Sequence, residues 1–290
     1  MTNLPAHVDI VKLLVTARAR DAAAGAGAHV VVGAGDHGPG AIGADRFTSP
    51  ERFALEQTRL FASTPSIVAL ASDVEAVGAC VVVDVAGVSC FVVRGKDGVV
   101  RGFRNACRHR GTQLLDPSTC AATGSGAHAC KPANAIACPY HAWTYDLDGR
   151  LAHVPHRDAF AGLERGRDLA PVHVVVKHGF VFAALTAFDI DAFLAPIADD
   201  LALFAAESCV VHAHSARDVA ANWKLLVDAF LDGYHIRVLH KDSVGRFFVD
   251  GVLGADRAGV HVRAVTARKT LFEVRDAARV DALDVRAFAK

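Results

Sequence analysis

Four side chains in two short boxes, Cys107-Arg108-His109 and Cys138-Pro139-Tyr140-His141, are the first candidates for chemistry in this chain. Each box pairs a thiol with an imidazole, donors that suit iron and zinc. A two-iron cluster can take two thiolates on one iron and two imidazoles on the other. Tetrahedral zinc accepts the same four ligands. Zinc-site spacings commonly separate the two Cys from the two His, whereas here each box mixes them. Neutral imidazoles in place of anionic thiolates raise a cluster's reduction potential, so the chemistry on offer is one-electron transfer. Gly111 and Pro139 suit tight loops that fold over a cluster and turn backbone N–H groups toward its sulfurs.

A second constellation lies downstream, running from Asn222-Trp223-Lys224 through Asp228 and Asp232 to His235 and His240. Leu225, Leu226, Phe230, Leu231, Tyr234, Val238 and Leu239 recur at near-helical intervals, which predicts a buried helix. Asp228, Asp232 and His235 then share one stripe of it, and buried carboxylates need a partner or a metal. His235 and His240 stand five residues apart, off a common face of an ideal helix. Joint ligation of one metal therefore predicts a π-bulge or a helix break between them. The competing reading is an ordinary amphipathic helix with two incidental histidines.

With both constellations in this order, the chain resembles the large (α) subunit of Rieske non-haem iron oxygenases of the aromatic-ring-hydroxylating type, over residues 45–270. The resemblance implies a [2Fe–2S] cluster on Cys107, His109, Cys138 and His141. It implies a mononuclear Fe(II) on His235 and His240, two members of a 2-His-1-carboxylate triad that leaves positions open for O2 and a small organic, most simply aromatic, substrate. Asp232 is carried over as the bridging carboxylate, bonded to His235 in its own subunit and to His141 across a subunit interface. Asp228 stands where the family more usually has Glu. The implied partners are a ferredoxin or flavin-containing reductase fed by NAD(P)H, in a homotrimer or an α3β3 assembly.

The resemblance departs at its far end. The family's carboxylate ligand follows the second His at a distance greater than the 50 residues that come after His240 here. Asp276, Asp281 and Asp284 are available, but none sits in the matching context. The sequence thus reads as a C-terminally truncated member. The alternative is an electron-transfer or degenerate protein with an intact cluster and no working oxygenase site.

The elements that must position these residues divide the chain in three. Residues 1–65 read as a lead-in and a helix opened by Ser49-Pro50-Glu51 and running to Phe61. Residues 66–171 carry short Val-rich runs, Val81–Val85, Cys90–Arg94, Val99–Asn105 and Trp143–Leu147, with turns at Lys96-Asp97-Gly98 and Asp148-Gly149: an all-β Rieske [2Fe–2S] domain. Residues 172–290 form a partial catalytic domain, a helix-covered antiparallel sheet. It is expected to hold strands at Val172–Lys177, Phe180–Leu185 and Val210–Ala216, a helix over Ala192–Glu207 and a strand near Val260–Arg263. The fold class is α+β. Gly33-Ala34-Gly35-Asp36-His37-Gly38 after Val30–Val32 matches a dinucleotide fingerprint, but Pro39 stands where its helix must begin, so it is set aside.

Formal net charge is zero and the pI is near 7.3, which offers nothing to nucleic acid or an anionic membrane. No run of 18 apolar residues occurs, and the N-terminus lacks a signal-peptide pattern, so a cytoplasmic protein is expected. The seven cysteines are an odd number, which argues against a disulfide framework. Cys80, Cys90 and Cys209 read as buried small hydrophobes. Cys120 and Cys130 lie in a loop-like insertion between the boxes and read most simply as bystander thiols, with a disulfide or an extra metal site as the other possibilities.

Overall fold

The computed structural model describes residues 30–34 and 42–268, apart from 124–125, 132, 161, 163–164 and 234. They divide into two compact units. Residues 50–192 and 205–218 form one; the described parts of 1–49, 193–204 and 219–290 form the other.

The first unit is built on an eight-stranded sheet. Its strands are β2 (Ser66–Leu70), β3 (Cys80–Val85), β4 (Val88–Arg94), β5 (Val100–Arg104), β6 (Ala121–Ala122), β7 (His128–Cys130), β11 (Pro171–Lys177) and β12 (Phe180–Ala184). They lie in the order β2-β12-β11-β5-β4-β3-β7-β6, every neighbouring pair antiparallel. A small antiparallel sheet carries β8 (Ile136–Ala137), β9 (Thr144–Tyr145) and β10 (Leu151–His153) in the order β10-β9-β8.

The Val-rich runs form strands because both faces are buried, so they need no polar alternation. Successive side chains still point to opposite faces. Cys80, Val82, Phe91 and Val93 enter one core with Phe103, Cys107, Cys138, Trp143 and Tyr145. Val81, Val83, Val85, Cys90 and Val92 enter a second core with Val74, Val172, Val181 and Ala183. Burial pushes the Cys80 thiol up to about 12 and the Cys90 thiol to about 11, which keeps both protonated. The expected turns fall at Gly98 (φ +79°) and Gly149 (φ +91°). A side chain at Gly149 would overlap the Phe103 ring.

Strands β11 and β12, which the sequence reading placed in the second domain, belong to this sheet. Pro171 and Val172 pair with Phe103 and Gly102, and β12 pairs with β2. Gly102 permits the join, since a Cβ there would collide with Val174. The helix expected over 50–61 forms as α2 (Pro50–Glu56), continued by a π-helical turn over Gln57–Phe61. It follows α1 (Asp45–Thr48).

In the second unit β13 (Phe248–Ala258) and β14 (His261–Arg268) make a long hairpin, and β1 (Val30–Ala34) adds to β13 in parallel. The apolar triplet before the Gly-rich fingerprint thus pairs with a strand more than two hundred positions on, not in a local βαβ unit; Gly35 and Gly38 lie outside the described residues. The helix expected over 192–207 is broken into α3 (Ile190–Leu194), a 3-10 turn at Ala195–Ile197 and α4 (Ala198–Phe204), because Pro196 cannot continue the ladder. The expected strand over 210–216, in the first unit, does not form; those residues carry no regular structure and are exposed. An Arg263–Asp200 ion pair at 3.0 Å and a His261 Nε2–Phe193 carbonyl contact at 2.7 Å tie hairpin to helices. The α+β expectation holds. No described helix is long and apolar enough to cross a membrane.

Candidate metal centres

The two boxes fold as the same six-residue loop. The Cys107 N–H bonds the Thr112 carbonyl (2.8 Å), and the Gly111 N–H bonds the Cys107 carbonyl (2.8 Å). The Cys138 N–H likewise bonds the Trp143 carbonyl (2.8 Å), and the Ala142 N–H bonds the Cys138 carbonyl (3.0 Å). The fifth residue of each loop is left-handed, Gly111 at φ +75° and Ala142 at φ +56°. Glycine adopts that conformation freely, whereas alanine there costs about 1 kcal/mol.

The loops bring the four side chains together as two like pairs. Cys107 and Cys138 are buried, carry free thiols and touch one another. The His109 and His141 rings lie 4.9 Å apart. Among the described residues no three His, Cys, Asp or Glu side chains converge as they would around a single ion. A Cys pair beside a His pair suits a two-iron cluster better than one zinc.

Further contacts prepare the donors. The Tyr145 hydroxyl accepts the Arg108 N–H (3.0 Å), which leaves its own proton for the Cys107 sulfur at 3.3 Å. The His109 backbone amide also favours negative charge on that sulfur. Burial raises the Cys107 thiol pKa, opposed by these contacts, so an anion at the sulfur needs a metal's charge beside it. Burial, then the charges of His141, Arg110 and Arg167, hold the His109 ring below its ordinary pKa and so in the neutral, ligating form. Nδ1 of His109 is buried with no hydrogen-bond partner. Such an orphaned ring nitrogen is costly unless something binds it, as a metal would. The residues fit the cluster.

The two imidazoles differ. The His109 ring stacks on buried Trp143, with centroids 4.6 Å apart and planes 5° from parallel. His141 is exposed, with Tyr140 laid on it at 3.8 Å. Sequence reasoning missed Asn105, a buried amide at the end of β5. Its Oδ1 accepts the Leu114 and Leu115 N–H groups, and its Nδ2 donates to the Leu115 carbonyl (2.7 Å), pinning the chain that leaves the first box. Only its place two residues before Cys107 hints at this.

The insertion between the boxes corrects the reading of its cysteines. Cys120 and Cys130 form a disulfide, and β7, which ends at Cys130, pairs with β3. Cys209 is exposed, not buried, because the segment that carries it forms no strand.

The downstream constellation sits in the second unit. Asn222 caps α5 (Trp223–Leu231): its side chain accepts the Lys224 N–H (3.0 Å) and donates to the Phe47 carbonyl (2.9 Å). The helix ends at Asp232, and a separate turn, α6 (Ile236–Leu239), has His235 and His240 as its caps. The π-bulge or break expected between the histidines does not form; the helix breaks before His235 instead. His235 and His240 thus flank a regular helical turn, with rings 5.2 Å apart. The common stripe of Asp228, Asp232 and His235 is cut by the same break. Asp232 Oδ2 lies 3.2 Å from His235 Nδ1, which leaves Nε2 of that ring to face a metal. The helix is not buried: Leu225, Leu226, Val227 and Phe230 are exposed, Phe230 at 89%. Tyr234, Asp276, Asp281 and Asp284 lie outside the described residues.

The all-β unit with its paired loops is an iron–sulfur domain in form. Residues 64–173 match the Rieske [2Fe-2S] domain, and residues 206–284 match the catalytic domain of the ring-hydroxylating alpha subunit. The chain belongs to the Rieske non-haem iron oxygenase family, on the large-subunit side, whose cofactors are a [2Fe–2S] cluster and a mononuclear iron. It is 33% identical to the glycine betaine monooxygenase oxygenase subunit of Chromohalobacter salexigens, over 77% of this chain and 48% of that one. It is 35% identical to the carnitine monooxygenase oxygenase subunit of Escherichia coli K12, over 68% and 52%. A crystal structure of a quaternary ammonium Rieske monooxygenase in complex with an inhibitor superposes with a TM-score of 0.63 at 30% identity, over 71% of this chain and 55% of that one. The chain spans about half the length of the curated relatives it matches.

Proposed function

We propose that Cys107 and Cys138 hold one iron of the cluster, His109 and His141 the other, and that His235 and His240 hold the mononuclear Fe(II). The chain then serves in the terminal oxygenase component of a Rieske non-haem iron oxygenase. The observation that carries this reading is the orphaned, buried Nδ1 of His109, beside His141 and behind a Cys pair. The bound groups would supply one-electron transfer and O2 activation. The protein's own part is to orient and insulate. Tyr145 directs a hydrogen bond at the Cys107 sulfur, Trp143 fixes the His109 ring, and Asp232 fixes the tautomer and direction of His235. Exposed His141 is the side from which an electron leaves. The bond from Asp232 to His141 across a trimer interface, the homotrimer or α3β3 assembly and the NAD(P)H-fed reductase or ferredoxin belong to the same proposal.

The substrate class changes with the comparisons. The sequence reading put an aromatic ring first; the names of the relatives point to a different class, and we propose a quaternary ammonium compound. Iron and acid-labile sulfide analysis, with EPR of the reduced protein, should show a mixed Cys/His [2Fe–2S] centre of low average g-value. Four-sulfur ligation, or zinc, would overturn it. Reductase-driven O2 uptake should respond to glycine betaine or carnitine and not to benzoate; the opposite preference restores the aromatic reading, and no uptake with an intact cluster leaves an electron-transfer protein. Asp232→Asn should keep the cluster and lose most of that uptake.

A further inference from the structure

Phe160 lies outside both ligand boxes, in a segment of loop composition from His156 to Asp168 that no motif covers. Two of its described residues, Phe160 and Arg167, meet the first box. A short 3-10 turn, Arg157–Phe160, carries the ring. Beyond it Arg167 donates to the Arg108 carbonyl (2.9 Å), Asp168 accepts the Leu151 N–H (2.8 Å), and the Leu169 N–H bonds the Gly149 carbonyl (2.8 Å). Phe160 packs against the core that contains Cys107 and Cys138. Its ring meets His109 edge-on, with centroids 6.0 Å apart and planes at 86°, and meets Trp143 in the same way at 5.6 Å and 81°. His109 is therefore held by a stack on one side and an edge on another, while His141 stays exposed.

We infer that Phe160 is a positioning residue for the cluster: it locks the His109 ring against Trp143 and keeps water from the His109 side of the metal pair, so the centre meets solvent, and passes its electron on, at His141. The inference rests on the proposed ligation by His109. Edge-to-face aromatic contacts are directional, so loss of the ring loosens the imidazole as well as wetting it. Solvent exposure is one of the terms that set a cluster's potential. With two thiolates the oxidised centre is neutral and the reduced one carries a negative charge, so water stabilises the reduced form more and the potential rises.

The test uses the full chain with its cluster. Wild-type protein must first give the mixed Cys/His EPR signal; failure there sinks the ligand assignment, not the role of Phe160. Given that signal, Phe160→Ala should raise the midpoint potential and speed cluster loss to an iron chelator several-fold. Phe160→Tyr, which keeps the ring edge, should restore both. Phe160→Leu, which keeps bulk without a ring, should shift the potential in the same direction by less, and stands in if the Ala variant assembles no cluster. A potential unchanged in both the Ala and Leu variants, or a shift in the Tyr variant as large as in Ala, would overturn the inference. A purely structural role would lower the unfolding temperature of each variant and leave the potential of the folded protein where it was.

Discussion

At the scale of single residues, the sulfur of Cys107 is where the protein has most control. The Tyr145 hydroxyl lies 3.3 Å from it, and the His109 backbone amide also favours negative charge there. Hydrogen bonds to a cluster sulfur favour the reduced, more negative state. Tyr145→Phe removes one donor without changing the buried ring. A neutral hydrogen bond has a net value of about 1 kcal/mol, which for a one-electron couple is on the order of 40 mV. Tyr145→Phe should therefore lower the midpoint potential by about that amount in protein-film voltammetry. An unchanged or higher potential would show that the tyrosine proton points elsewhere. The shift is opposite in sign to that expected for Phe160→Ala, so the two substitutions separate hydrogen bonding from solvent access.

Among the elements, the hairpin β6–β7 is the one the sequence reading left as loop. It continues the large sheet beyond β3, with Val81 opposite Ala129 and Cys80 opposite Cys130, and the Cys120–Cys130 disulfide closes it. Closing a loop of this size removes denatured-state entropy equivalent to about 2–3 kcal/mol. Cys120→Ser with Cys130→Ser should cost about that much in urea unfolding of the oxidised protein, and the difference should vanish when both proteins are reduced with a dithiol. A persistent difference under reduction would mean that the cysteines contribute through packing and not through their bond. An even count of cysteines would have drawn attention to this pair. The seventh, exposed Cys209, hid it.

For the whole molecule, apolar burial is uneven between the two units. The first has two closed cores on either side of one sheet. In the second, the face of α5 and α6 leaves Phe230 89%, Val238 72% and Leu239 72% exposed. Large apolar side chains exposed in this way bind hydrophobic probes. Phe230→Ser with Leu239→Ser should lower fluorescence of an anilinonaphthalene dye while leaving the cluster's EPR signal intact, since no residue of the first unit changes. Undiminished dye fluorescence would place the sticky surface elsewhere.

The boxes, the Val-rich strands, the Gly turns and the downstream histidines were legible because each depends on local chemistry: ligand type, pleat periodicity, left-handed turns. The sequence also carried the family, since two ligand motifs in fixed order are read without a fold. What it did not carry depends on partners distant along the chain. The join of β11 to β5 rests on the space above Gly102, and the disulfide on β7 reaching β3. That the break falls before His235, and not between the two histidines, is a matter of where α5 ends and how Asp232 turns to the imidazole. Hydrophobic periodicity marked a buried helix at Leu225–Leu231, yet periodicity records only that a face is apolar. Whether anything covers that face is a tertiary fact, as is the closing of Phe160 over His109, because burial is a property of the neighbours and not of the residue.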